Sequence, residues 1–592
     1  MKNGILSIIM ILSLLVLSGC AYGQGEAYDS SLNAAREAVQ AVRRAEGRVT
    51  DNRAVDKPEP DASAVDMSAE EADKKVAATV EFDPEKAFEY CHDVMCGYDG
   101  ENQSTILHID FDGRIPSSDN NLVYLFEIAT YESDELEGKR PVATEIKDSE
   151  MLLKVPYRQR HLFSRFVPAL LYNGKYVALS DGKYIFNPEV LAHNNEPYPE
   201  VESKKGLLLD ANTVNTKWLT DLDVKRVVYN LPLSYIMGET GNEDYPTVEF
   251  EYDGRVYQYN GFALAGFDQM FLYLTSQGYN TTLIILNDWN KDFPEIIHPS
   301  SRRKTGRSMY YAFNTEEEEG VRLMEATALF LAQRYSGGEY GFVNDWVIAN
   351  EINQQKIWNY MGTNDLDYYT DSFEKSFRTF YNAIKSNYAN AHVSFSIDHD
   401  WNDNGGNNSA FFNGRDLLNT FNEKAKKGGN YDWGLSIHPY PNPLARVKFW
   451  NGNFDKTENS SVVTPMNLSV ITDYMQKEEM LSPSDKVRDI SITELGFSSK
   501  TGEKVQAVAF EYCYYIIEDN EYISSFLLNR QTDDTESLKS GLSLGIYNND
   551  YSLKYLAEIF TKIDTPARAK YLQEMLDVTG FDSLEEALEA AR

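Results

Sequence analysis

The sequence predicts a mixed α/β protein in which an antiparallel β-sandwich precedes a (β/α)8 barrel. Three observations predict the barrel: eight apolar runs follow one another, segments with helical spacing separate them, and each run is apolar almost throughout. Strands that helices cover on both faces have this pattern. A count of eight favours a closed barrel over an open, doubly wound sheet. The runs are GLLLD (206–210), KRVVYNL (225–231), TTLIILN (281–287), DWVIANE (345–351), HVSFSID (392–398), DWGLSIH (432–438), DISITE (489–494) and ISSFLLN (523–529).

The segments between these runs have the periodicity of amphipathic helices. In EEEEGVRLMEATALFLAQRYS (316–336) the apolar side chains recur every three or four residues and predict one buried face. These side chains are Val321, Met324, Ala328, Leu331 and Tyr335. The stretch TVEFEYDGRVYQYNG (247–261) predicts a hairpin inserted after the second strand, because two alternating runs flank an Asp-Gly turn.

Residues 79–203 have a different pattern, with short strands separated by turns. Examples are STILHIDFDG (104–113), NLVYLFEIAT (121–130) and LFSRFVPALL (162–171), with Asn173-Gly174 and Asp181-Gly182 as turn dipeptides. The pattern favours an antiparallel sandwich, and we find no catalytic cluster in it. The domain boundaries predicted from these changes of pattern are 1–20 (signal), 21–78 (tether), 79–203 (sandwich), 204–563 (barrel) and 564–592 (helical tail).

The N-terminus, MKNGILSIIMILSLLVLSGC, predicts export from the cytoplasm. A lysine precedes an apolar run that suits a secretion signal better than a membrane span. Leu17-Ser18-Gly19-Cys20 resembles the lipobox of bacterial lipoproteins, which implies acylation of Cys20 and membrane anchoring in the cell envelope. An ordinary secretory signal, in which Cys20 is incidental, is the alternative. Residues 21–78 are charged and contain Pro and Ala, as a flexible tether does.

Composition excludes some classes of partner. The net charge of −35, from 56 basic and 91 acidic side chains, repels phosphate polymers and argues against a nucleic-acid partner. Cys91 and Cys96 lie close together in EYCHDVMC, and three readings stay open: a disulfide, free thiols, or a metal site with His92. Cys513 is interpreted as a small buried hydrophobe. The oligomeric state is open.

Two glutamates end predicted barrel strands. Glu351 follows Asn350 at the end of the fourth strand, and Glu494 ends the seventh. Active sites of such barrels lie at the C-terminal ends of the strands, so both carboxylates should face one cleft. A facing carboxylate pair is what cleavage of a glycosidic bond needs: one group donates a proton and the other attacks the anomeric carbon or activates water.

At these residues the sequence resembles the clan A retaining glycoside hydrolases. Asn350, Glu351 and Glu494 match the Asn-Glu acid/base of the fourth strand and the nucleophile of the seventh. His438-Pro439-Tyr440 resembles the His-x-Tyr after the sixth strand of many members, whose Tyr hydrogen-bonds the nucleophile. The resemblance implies double displacement with retention, an Asn350 contact to the sugar 2-hydroxyl, and no metal or organic cofactor.

Other strand ends depart from this family. Asn230 stands where many members have Arg at the end of the second strand, and Asn529-Arg530 stands where they have a Trp after the eighth. The sugar specificity of known branches therefore does not transfer. Further side chains near strand ends are candidates for sugar contact. They are Asn230, His399, Trp289 and Trp401, with Trp358 as another possible aromatic floor.

The loop SSRRKTGRS (300–308) forms a basic cluster in an acidic chain. We consider two interpretations, a solvated loop or a site for a uronate, sulfate or phosphate of the substrate. Taken together, the sequence predicts an exported, membrane-anchored retaining glycoside hydrolase that acts on an external poly- or oligosaccharide. The alternatives are a glycan-binding barrel without turnover, and an envelope assembly or adhesion protein that works through its sandwich. The sugar, the linkage, the anomeric configuration and endo or exo action stay open.

Overall fold

The computed structural model describes residues 78–403 and 409–592. The predicted signal, the lipidation site Cys20 and nearly all of the tether lie outside these residues. Within the described part of the chain, no helix combines the length and the apolar content that crossing a membrane requires.

Two small antiparallel sheets form the N-terminal part. One has three strands in the order β2-β3-β7, the other has four in the order β6-β5-β8-β9, and β1 pairs with β4 in parallel. The strands are β1 (Ala78–Val80), β2 (Asp93–Asp99), β3 (Ser104–Asp110), β4 (Arg114–Pro116), β5 (Leu122–Ile128), β6 (Ala143–Ile146), β7 (Glu150–Pro156), β8 (Arg165–Tyr172) and β9 (Lys175–Ala178).

The two sheets share one hydrophobic core, as a sandwich does. Leu107 of β3 and Leu153 of β7 lie in the same buried cluster as Leu125 of β5 and Phe166 of β8. Asn173-Gly174 links β8 to β9 with φ values of 50° and 74°, the left-handed pair that a tight hairpin requires. Cys91 and Cys96 are free thiols, and Cys96 is buried in this core. The disulfide considered from the sequence is therefore not formed.

The remaining strands include a closed parallel barrel in the order β10-β11-β14-β17-β18-β19-β20-β21, which confirms all eight predicted strands. The hairpin predicted after the second barrel strand is also present, as β12 and β13. The strands are β10 (Lys205–Leu208), β11 (Arg226–Pro232), β12 (Val248–Tyr252), β13 (Arg255–Tyr259), β14 (Asn280–Leu286), β15 (Ser336–Gly338), β16 (Gly341–Phe342), β17 (Asp345–Ile348), β18 (His392–Asp398), β19 (Gly434–His438), β20 (Ile490–Leu495) and β21 (Ile523–Leu528).

Helices follow the barrel strands and cover them. They are α1 (Lys217–Thr220), α2 (Leu233–Ile236), α3 (Gly261–Ser276), α4 (Glu318–Tyr335), α5 (Gln355–Trp358), α6 (Leu366–Lys385), α7 (Gly414–Lys427), α8 (Ser469–Met475), α9 (Glu503–Asp519), α10 (Thr535–Lys539), α11 (Leu556–Lys562), α12 (Ala569–Thr579) and α13 (Leu584–Ala591). The apolar stripe predicted on α4 is buried throughout. The C-terminal helices pack on α9, where the Tyr512 hydroxyl donates to the Ala587 carbonyl at 2.6 Å.

The sheets pack against the barrel through helix α6. The Arg378 guanidinium, 1% exposed, lies 4.8 Å from the ring centroid of Tyr184 and 3.8 Å from that of Tyr431. The Asn382 side-chain amide donates to the Leu162 carbonyl at 2.7 Å. Residues that precede the barrel thus complete the surroundings of one of its helices.

Because all barrel strands are parallel, their C-terminal ends meet at one rim. The register pairs Asp398 at the end of β18 with His438 at the end of β19. Leu495 of β20 pairs with Leu528 of β21, so Glu494 lies close to Asn529, the residue that follows β21. The fold therefore brings the polar residues of several strand ends to a single place.

Candidate active site

A cleft opens at the C-terminal ends of the barrel strands, where the sequence predicts an active site. Six of the predicted site residues line it: Asn230, Asn350, Glu351, His399, Tyr440 and Glu494. Apolar side chains, among them Leu208, Leu286 and Leu444, form part of its walls. A cleft with apolar walls and a few convergent polar groups is the usual form of a small-molecule or sugar site.

Glu351 stands on a strained turn directly after β17. Ala349 and Glu351 have φ values of 66° and 38°, which side chains with a Cβ rarely adopt. The backbone N–H of Glu351 donates to the Ser396 hydroxyl at 2.9 Å and helps to hold this conformation. Strain of this kind persists only where surrounding contacts enforce it, and it is common at functional sites. The turn places Asn350 and Glu351 in the cleft.

The Glu351 carboxyl is buried, at 5% exposure, and contacts His438. A hydrogen bond of 2.9 Å joins Glu351 Oε1 to His438 Nδ1. Burial raises the pKa of Glu351 to about 7, with the charges of Asp398 and Glu494 adding to the rise and His438 opposing it. A carboxyl with this pKa is protonated in an appreciable fraction of molecules near neutral pH, as a general acid must be.

His438 holds Glu351 from beneath the cleft. Its side chain is fully buried, and its Nε2 lies 3.1 Å from the Thr493 hydroxyl. Burial alone would lower the pKa of His438, but the hydrogen bond to Glu351 and the charge of Glu494 outweigh it and raise that pKa. The sequence-based prediction of a sugar contact for His438 is therefore wrong: with no exposed surface, it acts on the cleft through Glu351.

Glu494 has a different environment on the opposite side of the cleft. Its Oε1 accepts hydrogen bonds from the Tyr440 hydroxyl at 2.9 Å and from the Asn529 amide at 2.9 Å. Asn529 also donates to the Tyr440 oxygen at 2.8 Å. Burial and the charge of Glu494 raise the pKa of Tyr440 well above its usual value, so this hydroxyl remains a donor. Two donors aimed at one oxygen hold the Glu494 side chain in a defined position in the cleft.

The two glutamates lie close together. Glu351, His438 and Glu494 each offer one ligand atom, and these atoms lie within 4.8 Å of one another. Such a trio has the donor types and spacing for a metal ion. However, both ring nitrogens of His438 already have protein partners, Glu351 and Thr493. A metal at His438 would have to displace one of them, so the arrangement suits proton transfer better than metal binding.

A third carboxylate, Asp398, also lines the cleft. Its Oδ1 accepts a hydrogen bond from the Asn353 amide at 2.5 Å. The neighbouring Asp400 accepts from the Gln354 amide at 2.8 Å. Burial and the charge of Asp398 raise the pKa of Asp400 to about 9, so Asp400 is neutral near pH 7. His399 lines the cleft between these two residues, as predicted from its place at the end of the fifth strand.

The predicted aromatic contacts are corrected by the structure. Trp401 is 1% exposed and donates its indole N–H to the Glu458 carbonyl at 3.1 Å, away from the cleft. Trp289 is half-buried against the Tyr311 ring and does not line the cleft either. Trp358 does line it, stacked on Tyr310 with ring centroids 5.8 Å apart. The aromatic wall therefore comes from Tyr310 and Trp358.

Sequence reasoning missed three contributions to this site. Asn529 departs from the family pattern at the eighth strand, yet it hydrogen-bonds Glu494. Asp398 ends the fifth barrel strand beside His399, and its charge raises the pKa of Glu351. Tyr310 lies in a long loop with no strand-end signal at all. For Asn529 and Asp398 a signal existed, since both end barrel strands or directly follow them.

The fold and the cleft define a (β/α)8 barrel protein with a facing pair of glutamates at the ends of its fourth and seventh strands. Residues 197–587 match the family described as Family of unknown function (DUF5722), and the chain belongs to that family. A comparison with curated proteins finds no match.

Among solved structures, the chain is similar to several glycoside hydrolases. For a family 39 glycoside hydrolase from Bacteroides cellulosilyticus WH2, the identity is 14%, the TM-score is 0.41, and 76% of this chain and 79% of that chain are covered. An exo-beta-1,4-mannosidase from Opitutaceae bacterium strain TAV5 is 12% identical with a TM-score of 0.37, and the match covers 61% of this chain and 55% of that chain. An endo-1,4-beta-mannanase from Rhizomucor miehei is 11% identical with a TM-score of 0.37, and the match covers 66% of this chain and 99% of that chain.

Proposed function

We propose that the protein is a retaining glycoside hydrolase that cleaves O-glycosidic bonds of a poly- or oligosaccharide. One observation carries the proposal: oxygens of Glu351 and Glu494 lie within 4.8 Å of each other in one cleft. Retaining enzymes hold their two carboxyl groups about 5–5.5 Å apart, whereas inverting enzymes need about 6.5–9.5 Å to admit a water molecule. The short distance between the two carboxyl groups supports retention.

The surroundings of the two carboxyls support a division of roles. Glu494 accepts hydrogen bonds from Tyr440 and Asn529, which position one of its oxygens in the cleft, as a nucleophile requires. Glu351 is buried, and its raised pKa of about 7 suits a group that first donates and later accepts a proton.

In the first step, a Glu494 oxygen bonds to the anomeric carbon while the bond to the leaving oxygen breaks. Glu351 gives its proton to that oxygen, and a glycosyl-enzyme remains. In the second step, Glu351 takes a proton from water, the water oxygen bonds to the anomeric carbon, and the bond to Glu494 breaks. His438 orients Glu351 throughout, and Asn350 is placed in the cleft for a sugar hydroxyl.

We further propose that the enzyme acts outside the cytoplasm, anchored through Cys20. The lipobox-like Leu17-Ser18-Gly19-Cys20 supports this proposal, and an external glycan is the substrate that such a location implies. Labelling cells with a radioactive fatty acid tests it. The label should enter the wild-type protein and be lost from Cys20→Ser, whereas equal labelling of both would refute the anchor.

The activity is tested by screening glycans for released reducing sugar and then following the reaction by proton NMR. We expect the first-formed product to keep the anomeric configuration of the substrate, and Glu494→Ala to release nothing. Chelation of metals with EDTA should leave the rate unchanged. An initial product of opposite configuration would refute retention, and glycan binding without any release would refute hydrolysis.

A further inference from the structure

The basic loop that precedes α4 is not explained by the proposed reaction. We define the rim loop as residues 302–308; it contains Arg302, Arg303, Lys304 and Arg307 in a chain whose net charge is −35. Among the described residues that line the cleft there is no lysine or arginine, whereas three are carboxylates. Positive charge is therefore concentrated beside the cleft and not in it.

Hydrogen bonds fix the rim loop to the edge of the cleft. The Ser308 hydroxyl donates to the Lys356 carbonyl at 2.8 Å, and the Met309 N–H donates to the Ile357 carbonyl at 2.7 Å. Tyr310, the next residue, lines the cleft. Arg307 is three residues before Tyr310, and a chain of that length spans at most about 11 Å. The loop is thus within one sugar unit or two of the cleft.

The four basic side chains of the loop are not equivalent. Arg302 is committed to the fold, since its Nε donates to the Pro294 and Ile297 carbonyls and its guanidinium pairs with Glu317. Arg303, Lys304 and Arg307 are exposed, and within residues 78–403 and 409–592 they form no side-chain hydrogen bond or ion pair.

Lys304 also lies near Asp288 at the end of the third barrel strand. Burial raises the pKa of Asp288, and the Lys304 charge opposes that rise without forming an ion pair. Arg303, Lys304 and Arg307 thus lie within five consecutive residues of one exposed loop, and none of them forms an ion pair with a described residue. Three positive charges in one short loop attract an anion.

We propose that Arg303, Lys304 and Arg307 bind an anionic group of the glycan, a carboxylate or a sulfate, on a sugar unit next to the one that is cleaved. This inference rests on the proposed function and specifies its substrate class. Guanidinium groups bind both anions through paired hydrogen bonds. The anion belongs beside the cleaved unit because the carboxylates of Glu494 and Asp398 repel negative charge inside the cleft.

The test measures binding to immobilised polysaccharides with Glu494→Gln, which keeps the cleft but blocks turnover. The probes are polygalacturonate with its methyl ester, for the carboxylate, and carrageenan with its desulfated form, for the sulfate. We expect tighter binding to one acidic polymer than to its neutral form. Because the rest of the protein repels polyanions, such a preference requires a local basic site.

The rim-loop variant Arg303→Ala, Lys304→Ala and Arg307→Ala, made in the Glu494→Gln protein, should lose that preference, with affinity falling about tenfold. The difference in affinity between the two proteins should become smaller as the salt concentration rises from about 20 mM to about 200 mM. The matched control replaces Lys86, Lys154 and Lys175, exposed residues of the N-terminal part, by Ala. It changes the net charge equally and should bind as before.

Equal binding of each acidic and neutral pair, or an undiminished preference in the rim-loop variant, would overturn the inference. A wild-type enzyme that hydrolyses neutral glycans and shows no acidic preference would retain the proposed function and refute the anionic substrate. If binding depends on the rim loop but the wild-type protein releases no sugar, the anion site would stand and the proposed hydrolase function would be refuted.

Discussion

The two cleft glutamates occupy opposite environments although both end barrel strands. Glu351 is 5% exposed, stands on backbone with positive φ and contacts a buried histidine. Glu494 is half-buried, lies within strand β20 and accepts hydrogen bonds from a tyrosine and an asparagine. Identical side chains thus have different surroundings: burial raises the pKa of Glu351, whereas two hydrogen-bond donors hold the side chain of Glu494.

In the proposed mechanism, the surroundings of the two glutamates decide which one serves as the acid and which as the nucleophile. A pair of titratable groups whose environments push their pKa values apart can share acid and base work near neutral pH. In this cleft Asp398 adds to the raised pKa of Glu351 and His438 opposes it, whereas Tyr440 and Asn529 hydrogen-bond Glu494. Each can be changed without touching either glutamate.

The largest effect is expected from removing Glu494. Glu494→Ala should lower kcat by more than about 10⁴-fold, because no covalent intermediate can form. Added azide, which fits the space of the lost side chain, should restore turnover of an activated aryl glycoside and give a glycosyl azide of inverted configuration. NMR of the product checks this. An azide product of retained configuration would reverse the assignment of the two glutamates.

Removing Glu351 should have a smaller effect that depends on the leaving group. Glu351→Ala should slow natural glycosides by about 10²–10⁴-fold, the usual contribution of a general acid. An aryl glycoside with an acidic phenol needs no protonation, so its first step should be nearly unaffected. Kinetics on both substrate types check this, and azide should now give the retained product. An equal loss on both substrates would contradict the acid role.

Asn529→Ala should have an intermediate effect, because it removes one of two donors to the Glu494 carboxylate. Loss of a hydrogen bond to a charged group costs about 1.5–3 kcal/mol, which corresponds to roughly 10- to 100-fold in kcat. Tyr440→Phe removes the other donor and serves as the comparison. Thermal unfolding of each variant separates a folding defect from a catalytic one. A folded Asn529→Ala enzyme with unchanged kcat would show that this contact is dispensable.

The smallest effect is a shift in pH dependence. Glu351 must be protonated in the first step, so activity should fall as pH rises through its pKa of about 7. Asp398→Asn removes a negative charge that raises this pKa, and the alkaline limb should move to lower pH.

Asp400→Asn is the matched control for this shift. The pKa of Asp400 is raised to about 9, so this group is already neutral near pH 7 and its replacement removes no charge there. The alkaline limb of kcat/KM should therefore stay in place. A limb that is unmoved in Asp398→Asn, or that moves equally in both variants, would contradict the role given to Asp398.

The sequence was sufficient for the barrel and for the positions of its two glutamates. Eight apolar runs separated by helical segments are compatible with few architectures. A carboxylate at the end of a buried barrel strand, such as that of Glu351, must lie at the rim of the barrel. The antiparallel sheets before the barrel were predicted from Asn-Gly and Asp-Gly turns, and Asn173-Gly174 has the expected backbone.

Side-chain direction beyond the strand ends was not predictable. Trp401 follows a strand end as closely as Glu351 does, yet it turns into the core, because the loop after β18 folds back on Ser461. His438 ends its strand at the C-terminal rim of the barrel, as predicted, but its side chain is buried beneath the surface of the cleft. The contact between Asn529 and Glu494 depends on the register of β20 and β21, which local sequence does not reveal.

The packing of the antiparallel sheets on helix α6 bears on how such chains can be rearranged in evolution. The family match begins at residue 197, yet Arg378 and Asn382 inside it depend on Tyr184 and Leu162 outside it. A relative that carries the barrel alone must cover that helix in another way, with smaller or solvated side chains at these two positions. If the barrel were fused to a different domain in evolution, substitutions at positions 378 and 382 of α6 would record the change, and a sequence comparison could detect them.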